Sequence, residues 1–170
     1  MIKFVGSFEK VSDLPRHGGV KEFAFIGRSN VGKSSLINAV VGHDIARVSK
    51  TPGRTRSLNL FNIDDKIWIM DLPGYGWAKA SKDDQIMWLK RLEEYLSARS
   101  ELKMLFILID SRHGIKDLDK TILEFAIEEN IPHTIVYTKC DKKDAKKFND
   151  GISTSAEKKI GIEEIKRVIK

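Results

Sequence analysis

A chain of 170 residues with 41% hydrophobic and 32% charged side chains can bury one ordinary core and is too apolar to stay unfolded. Its longest purely apolar run, MLFILI at residues 104–109, suits a buried strand and falls far short of a bilayer span, so a membrane protein is not expected. The formal net charge of +6 fits acidic partners such as nucleic acid, and equally well lysines that only keep a small domain soluble.

The N-terminus, MIKFVGSFEK, carries Lys3, Glu9 and Lys10 where an export signal needs an unbroken apolar stretch. The single cysteine, Cys140, rules out an internal disulfide and fits a reducing compartment, so the expected location is cytoplasmic. No repeat or Pro/Gly-rich linker divides the chain, and a single domain over residues 1–170 is expected.

EFAFIG (22–27) reads as a strand, and KSSLINAVVG (33–42) as a helix stopped by Gly42. LNLFNI (58–63) and KIWIMD (66–71) flank Asp64-Asp65 and predict a hairpin. A helix over 82–98 takes much of its apolar side from Met87, Leu89, Leu92 and Leu96. KMLFILID (103–110) is a strand, residues 118–130 a helix, HTIVYT (133–138) a strand, and residues 161–170 a closing helix. This alternation predicts an α/β fold, with a mostly parallel sheet covered on both faces. Ligands of such sheets bind beyond the carboxyl ends of the strands.

The loop after the first of these strands, GRSNVGKS, matches G-x-x-x-x-G-K-[ST] with Gly27, Gly32, Lys33 and Ser34 in the fixed places. Its backbone N–H groups, from Gly27 through Arg28, Ser29, Asn30, Val31 and Gly32, are expected to curl around phosphate oxygens, helped by the positive end of the following helix. Lys33 is expected to reach the β- and γ-phosphates of a nucleotide and Ser34 to hold Mg²⁺. A chance match in a chain of this length is roughly one in a few hundred.

Residues 44–57, with little periodicity and a Pro52-Gly53 turn, form the kind of long loop that is usually functional. Within Gly53, Arg54, Thr55, Arg56 and Ser57, the Thr55 hydroxyl is the candidate second Mg²⁺ ligand. In IMDLPGYGWAK (69–79), Asp71 is the candidate third, with Leu72, Pro73 and Gly74 forming the turn whose Gly74 N–H would sense a γ-phosphate. The next residue is Tyr75, which cannot orient an attacking water as a glutamine does. A surface aromatic and a packed one are equally expected there.

Thr138-Lys139-Cys140-Asp141 is a T-K-x-D version of a guanine-reading motif. A carboxylate can accept from both N1–H and the 2-amino group of guanine, whereas adenine would leave Asp141 unmatched. The Lys139 stem can lie along the base. Thr154-Ser155-Ala156 offers a third base-contact loop, with the Ala156 N–H facing guanine O6. Asp110, Arg112 and Asp117, beyond a strand end, are expected near the nucleotide side, with either a supporting or partner-contact role or, equally, only a loop salt bridge.

The set GRSNVGKSSLIN, SKTPGRTRSLN, DLPGYGWA, IDSRHGIKDLD and TKCDK resembles the EngB/YihA/YsxC-type GTPases of the Era-related group. The resemblance runs from about Phe4 to the C-terminus. It implies the P-loop GTPase three-layer fold, with one antiparallel hairpin strand in the sheet, and a monomer that hydrolyses GTP to GDP slowly on a Mg²⁺ site. It also implies contact with the large ribosomal subunit precursor, through rRNA or ribosomal proteins, and a need for the protein in cell division and septation. In several Era-related GTPases an asparagine at the position of Asn30 helps bind K⁺, so K⁺ is an implied accelerator. By the same resemblance Lys33, Asn30, Thr55 and Gly74 are the candidates for the catalytic step. Arg54 or Arg56 as a finger in cis is weighed against contact with phosphate backbone.

Three departures stand out. Trp77 replaces the family's usual tyrosine, and Glu157 follows Ser155-Ala156 where many GTPases have lysine. Only thirteen residues, 142–154, separate Asp141 from Ser155. A trimmed helix over 142–150 and a short strand at 151–154 are expected, with a less covered base side and micromolar GDP affinity. A nucleotide-gated RNA-binding module with incidental turnover is the alternative function. A P-loop kinase is disfavoured for want of an acceptor pocket and lid.

Overall fold

The computed structural model describes residues 1–16, 18–47 and 57–170. In chain order the elements are β1 (Ile2–Phe8), a 3₁₀ turn (Val11–Asp13), β2 (Lys21–Gly27), α1 (Lys33–Val41), β3 (Leu58–Ile63) and β4 (Ile67–Asp71). They continue as α2 (Lys82–Ala98), β5 (Leu102–Asp110), α3 (Asp117–Glu128), β6 (His133–Thr138), β7 (Gly151–Ser153) and α4 (Ile162–Ile169). The seven strands form one sheet in the order β1-β3-β4-β2-β5-β6-β7.

The ladders β2–β4, β2–β5, β5–β6 and β6–β7 are parallel, while β3 runs antiparallel to both β1 and β4. A single reversed strand, that of the hairpin, therefore interrupts a parallel sheet, as expected. The turn that reverses it holds Asp64 and Asp65 at φ 52° and 54°. Two successive left-handed residues match the twist of the flanking strands, and aspartate tolerates that conformation.

Strand residues alternate between two cores. On one face Ala24, Ile26, Leu60, Met70, Leu105 and Ile107 pack under α2 and α3. On the other Phe23, Phe25, Phe61, Ile69, Phe106 and Leu108 pack under α1 and α4. Helices on both faces give the three layers.

Three expectations need correction. The strand β1 was not predicted, although Ile2, Phe4 and Phe8 alternate; it pairs with β3 through a bulge between Phe4 and Gly6, and Phe4 lies 5.5 Å from Phe61. The helix α2 has the expected bounds, set by a Ser81 cap that exchanges hydrogen bonds with Asp84. Its buried stripe, however, is Trp88, Leu92, Tyr95 and Leu96, at i, i+4, i+7 and i+8, and Met87 is 71% exposed. Residues 142–150 form turns rather than a trimmed helix. Phe148 stacks on Tyr137 at 4.0 Å and 4°, the Tyr137 hydroxyl donates to Asp150 at 2.8 Å, and the Lys146 N–H donates to the Ser111 carbonyl at 2.9 Å. One aromatic plug takes the place of a helix. The short strand β7 forms as expected and ends at Ser153.

Candidate functional site

Phe25 pairs with Asp71 across β2–β4, Gly27 with Leu108 across β2–β5, and Asp110 with Thr138 across β5–β6. The carboxyl ends of four strands thus meet at one edge of the sheet, around β2. Since β2 has β4 on one side and β5 on the other, this edge is a topological switch point, where such sheets bind ligands.

The phosphate-loop candidates follow β2 directly. Asn30 and Gly32 lie in the left-handed region at φ 66° and 98°, a curl that asparagine and glycine accept most readily. Gly32 caps α1, whose first residues are Lys33 and Ser34. The loop is braced from the base side: the Thr138 hydroxyl donates to the Val31 carbonyl at 2.7 Å, and the Lys139 ammonium to the Asn30 carbonyl at 2.7 Å. Lys139 also lies 3.2 Å from Asp110, whose carboxylate is gripped by Arg112 at 2.8 and 3.0 Å. Burial alone would raise the Asp110 carboxyl; Arg112 and then Lys139 instead hold it well below the usual range. Asp110 and Arg112 thus form a loop salt bridge, one that also anchors Lys139. Asp117 is the first residue of α3 and faces Lys120 at 3.9 Å.

The Lys33 ammonium donates to the Asp71 carboxylate at the end of β4. Burial lowers Lys33 to about 7, while the adjacent carboxylate pulls the other way. Ser34 and Asp71 are the two Mg²⁺ candidates within the described residues. A hydroxyl and a carboxylate are the hard oxygen donors that Mg²⁺ takes alongside substrate phosphates. Among the described residues no group of three or more His, Cys, Asp or Glu could form an all-protein cage. Gly53, Arg54, Thr55 and Arg56 lie outside the described residues. Ser57, the first residue described beyond them, donates to Asn59 at 3.3 Å. On the other side of that segment, the Asn38 side chain of α1 clasps the backbone of Ile45 and Ala46 at 2.7–3.0 Å.

The base-reading candidates sort into props and contacts. Thr154 is fully buried and its hydroxyl donates to the Tyr137 carbonyl at 3.0 Å, so Thr154, like Thr138, is turned away from any ligand. The Cys140 N–H donates to the Thr154 carbonyl at 3.0 Å, tying the two base loops together, and burial pushes the Cys140 thiol up. The Ser155 hydroxyl, a hydrogen-bond partner of Asp141, is the main reason that this carboxyl sits below its ordinary value. Ala156 is half-buried in the turn closed by the Ser155–Ile160 backbone pair. Glu157 accepts from Lys142 at 2.9 Å, and Lys142 lies 3.6 Å from Asp141. Position 142 thus places a lysine between Asp141 and Glu157.

Leu72 and Pro73 are buried and Gly74 half-buried beside Ser29, to which a side chain at position 74 would come within 3.3 Å. Tyr75 is 1% exposed and points between α2 and α3, away from the phosphate loop's outer face. Sequence reasoning missed its partner, Asp119, a carboxylate at the third position of α3; an acid in a helix's first turn was the only signal.

Residues 22–139 match the family model described as 50S ribosome-binding GTPase. The chain is 46% identical to the probable GTP-binding protein EngB of Aquifex aeolicus over 142 residues, 83% of this chain and 76% of that one. A crystal structure of a probable GTP-binding protein EngB shares the fold at TM-score 0.68 and 24% identity, covering 87% of this chain and 96% of the other. Era in complex with MgGDPNP and nucleotides 1506–1542 of 16S ribosomal RNA matches at TM-score 0.63 and 25% identity, over 89% and 56% of the two chains. With its phosphate loop, its strand-end aspartate and its two joined base loops in family order, this chain belongs to the EngB-type GTPases of the 50S ribosome-binding family.

Proposed function

We propose that this GTPase is a Mg²⁺-dependent switch acting on the precursor of the large ribosomal subunit, and that cell division and septation depend on it through ribosome supply. The observation that carries the site assignment is the convergence of Lys33, Ser34, Asp71 and Asp141 on the edge around the N-terminus of α1. The Lys33 ammonium and the backbone N–H groups of Asn30, Gly32, Lys33 and Ser34 would hold the phosphates, since those of Ser29 and Val31, expected there too, instead donate to the Tyr75 and Arg28 carbonyls at 2.8 and 3.1 Å. Asp141 would hold the guanine edge, with Ser155 fixing that carboxylate. Ser34, Thr55 and Asp71 would hold Mg²⁺, which would neutralise charge developing on the phosphates. Lys33 would exchange Asp71 for phosphate oxygens when nucleotide enters, freeing the carboxylate to face the metal. Gly74 would meet the γ-phosphate.

Tyr75 is buried and takes no part in orienting water, so completion of the site must come from elsewhere. The exposed side chain of Asn30, whose backbone is left-handed in the phosphate-loop candidate, supports K⁺ in that role. The ribosomal surface is the other source, and the basic balance of +6 favours RNA contact. The Era neighbour was solved with 16S RNA, so likeness of fold does not choose the subunit; the family description, which names the 50S particle, does favour the large one.

One experiment covers both claims: co-sedimentation with separated subunits under GDP and a non-hydrolysable GTP analogue, followed by turnover with each subunit in KCl and in NaCl. Large-subunit binding confined to the analogue, with turnover raised by the subunit or by K⁺, is expected. Equal pelleting with both subunits would overturn the partner. Turnover indifferent to both subunit and cation would favour a binding module whose hydrolysis is incidental.

A further inference from the structure

Around Gly74 five contacts converge that phosphate binding does not require. The Tyr75 N–H donates to the Gly27 carbonyl at 3.3 Å, and the Tyr75 carbonyl accepts from the Ser29 N–H at 2.8 Å. The Arg28 guanidinium donates to the Gly76 carbonyl at 3.3 Å, and the Trp88 indole to the Pro73 carbonyl at 3.0 Å. The fifth is the Tyr75 hydroxyl, which donates at 2.5 Å to Asp119, a carboxylate with no exposed surface. The other Asp119 oxygen accepts from the Lys116 N–H at 2.8 Å, so this carboxylate also caps α3. The Tyr75 ring lies 4.9 Å from Trp88 of α2.

We infer that Tyr75 is a positioning residue for the γ-phosphate contact, its hydroxyl pinned to Asp119 so that the Gly74 N–H stands ready beside the phosphate loop before nucleotide arrives. The inference rests on the reading of Gly74 as the γ-phosphate sensor. Tyr75 follows Gly74 directly, and its backbone is zipped to both ends of the tripeptide Gly27–Ser29. Its side chain reaches into the helix layer on that face of the sheet, to the first turn of α3, as the Pro73 carbonyl reaches Trp88 of α2. Burial and the Asp119 charge push the Tyr75 phenol well above its ordinary value, so it remains a hydrogen-bond donor across the physiological range. A loop held this way loses little freedom when it meets a γ-phosphate, and preorganisation of that kind favours the triphosphate alone.

The Kd values for GDP and for a non-hydrolysable GTP analogue, measured with fluorescent nucleotides, supply the test as the ratio of GDP Kd to analogue Kd. Tyr75→Phe keeps the ring against Trp88 and loses only the hydroxyl. It is expected to lower the ratio about five- to tenfold, the net worth of one ordinary hydrogen bond, with GDP Kd held within about twofold. Asp119→Ala should do the same, the double variant no more than either single, and Asp119→Asn, which keeps an acceptor, should retain most of the ratio. Thermal melting of each variant reports folding. Parallel weakening of both nucleotides would overturn the inference in favour of a purely structural role, as would an unchanged ratio in folded Tyr75→Phe. Gly74→Ala separates the two readings. If it lowers the ratio while Tyr75→Phe does not, positioning by Tyr75 alone fails; if it leaves the ratio intact, the sensor reading fails and the inference with it.

Discussion

Lys33 pairs with Asp71 in a buried position, where its ammonium is lowered to about 7 by loss of water. A lysine depressed in the folded state binds fewer protons there than when unfolded, so stability of the nucleotide-free protein rises with pH from about 7 to the lysine's ordinary 10.5. Phosphate oxygens reverse the balance, because they favour the charged ammonium. Nucleotide binding at pH 8 is therefore expected to take up a substantial fraction of one proton through Lys33, and affinity should fall by up to about tenfold per pH unit above 7. Calorimetry of GDP binding in buffers of different ionisation enthalpy measures the uptake. Zero uptake at pH 8 would mean that Asp71 keeps the lysine charged throughout. At this scale the motif letters foretold where Lys33, Asp71 and Asp141 would stand, since fixed spacing after a strand determines position. They did not foretell direction. Thr138 and Thr154 match the motifs yet face inward as props, and Tyr75 turned out to be core, because a loop residue's orientation depends on what the opposite layer offers, here Asp119 and Trp88.

At the scale of elements, α2 is tied to the sheet by ion pairing as well as by its apolar stripe. Arg99, at its C-terminal end, donates to Glu22 of β2 at 2.5 and 3.2 Å and to the Pro15 carbonyl at 2.9 Å, and the Tyr95 hydroxyl also donates to Glu22. Glu22 has no exposed surface, and the Arg99 guanidinium stands 5.8 Å over the Trp68 ring. Arg99→Ala removes the cation facing a fully buried carboxylate and is expected to cost about 3–5 kcal/mol, read as a lower urea midpoint with an unchanged slope. A loss under about 1 kcal/mol would show that the pair is solvated. Hydropathy gave no hint of this network, because Glu22 and Arg99 read as an ordinary strand start and a helix-terminal charge. Periodicity did locate β2, β3, β4, β5, β6 and all four helices, whose apolar spacing is set by burial on a sheet. It missed β1, an edge strand whose mostly exposed residues include Phe4 and Val5; the trimmed helix at 142–150, expected from the resembled family's longer unit rather than from periodicity, is replaced by turns with Phe148 stacked on Tyr137.

For the whole molecule that gap bears on how the switch resets. The base side is built from two loops joined by the Cys140–Thr154 bond and propped by one stacked aromatic, with turns at 142–150 where the resembled family fits a longer helical unit. Lys142 lies between Asp141 and Glu157 on this side, and a guanine read by Asp141 would have to displace it. Both features would reduce the binding free energy that guanine could contribute. GDP affinity is expected to be micromolar, about 8 kcal/mol, rather than the 11 kcal/mol or more of a 10 nM site. With an ordinary association rate of about 10⁶ M⁻¹s⁻¹, GDP would then leave at about 1 s⁻¹, fast enough for the cycle to restart without an exchange factor. Stopped-flow release of fluorescent GDP measures that rate. Release slower than about 10⁻² s⁻¹ would place Kd below about 10 nM, show that the shortened base side costs nothing, and return exchange to a partner.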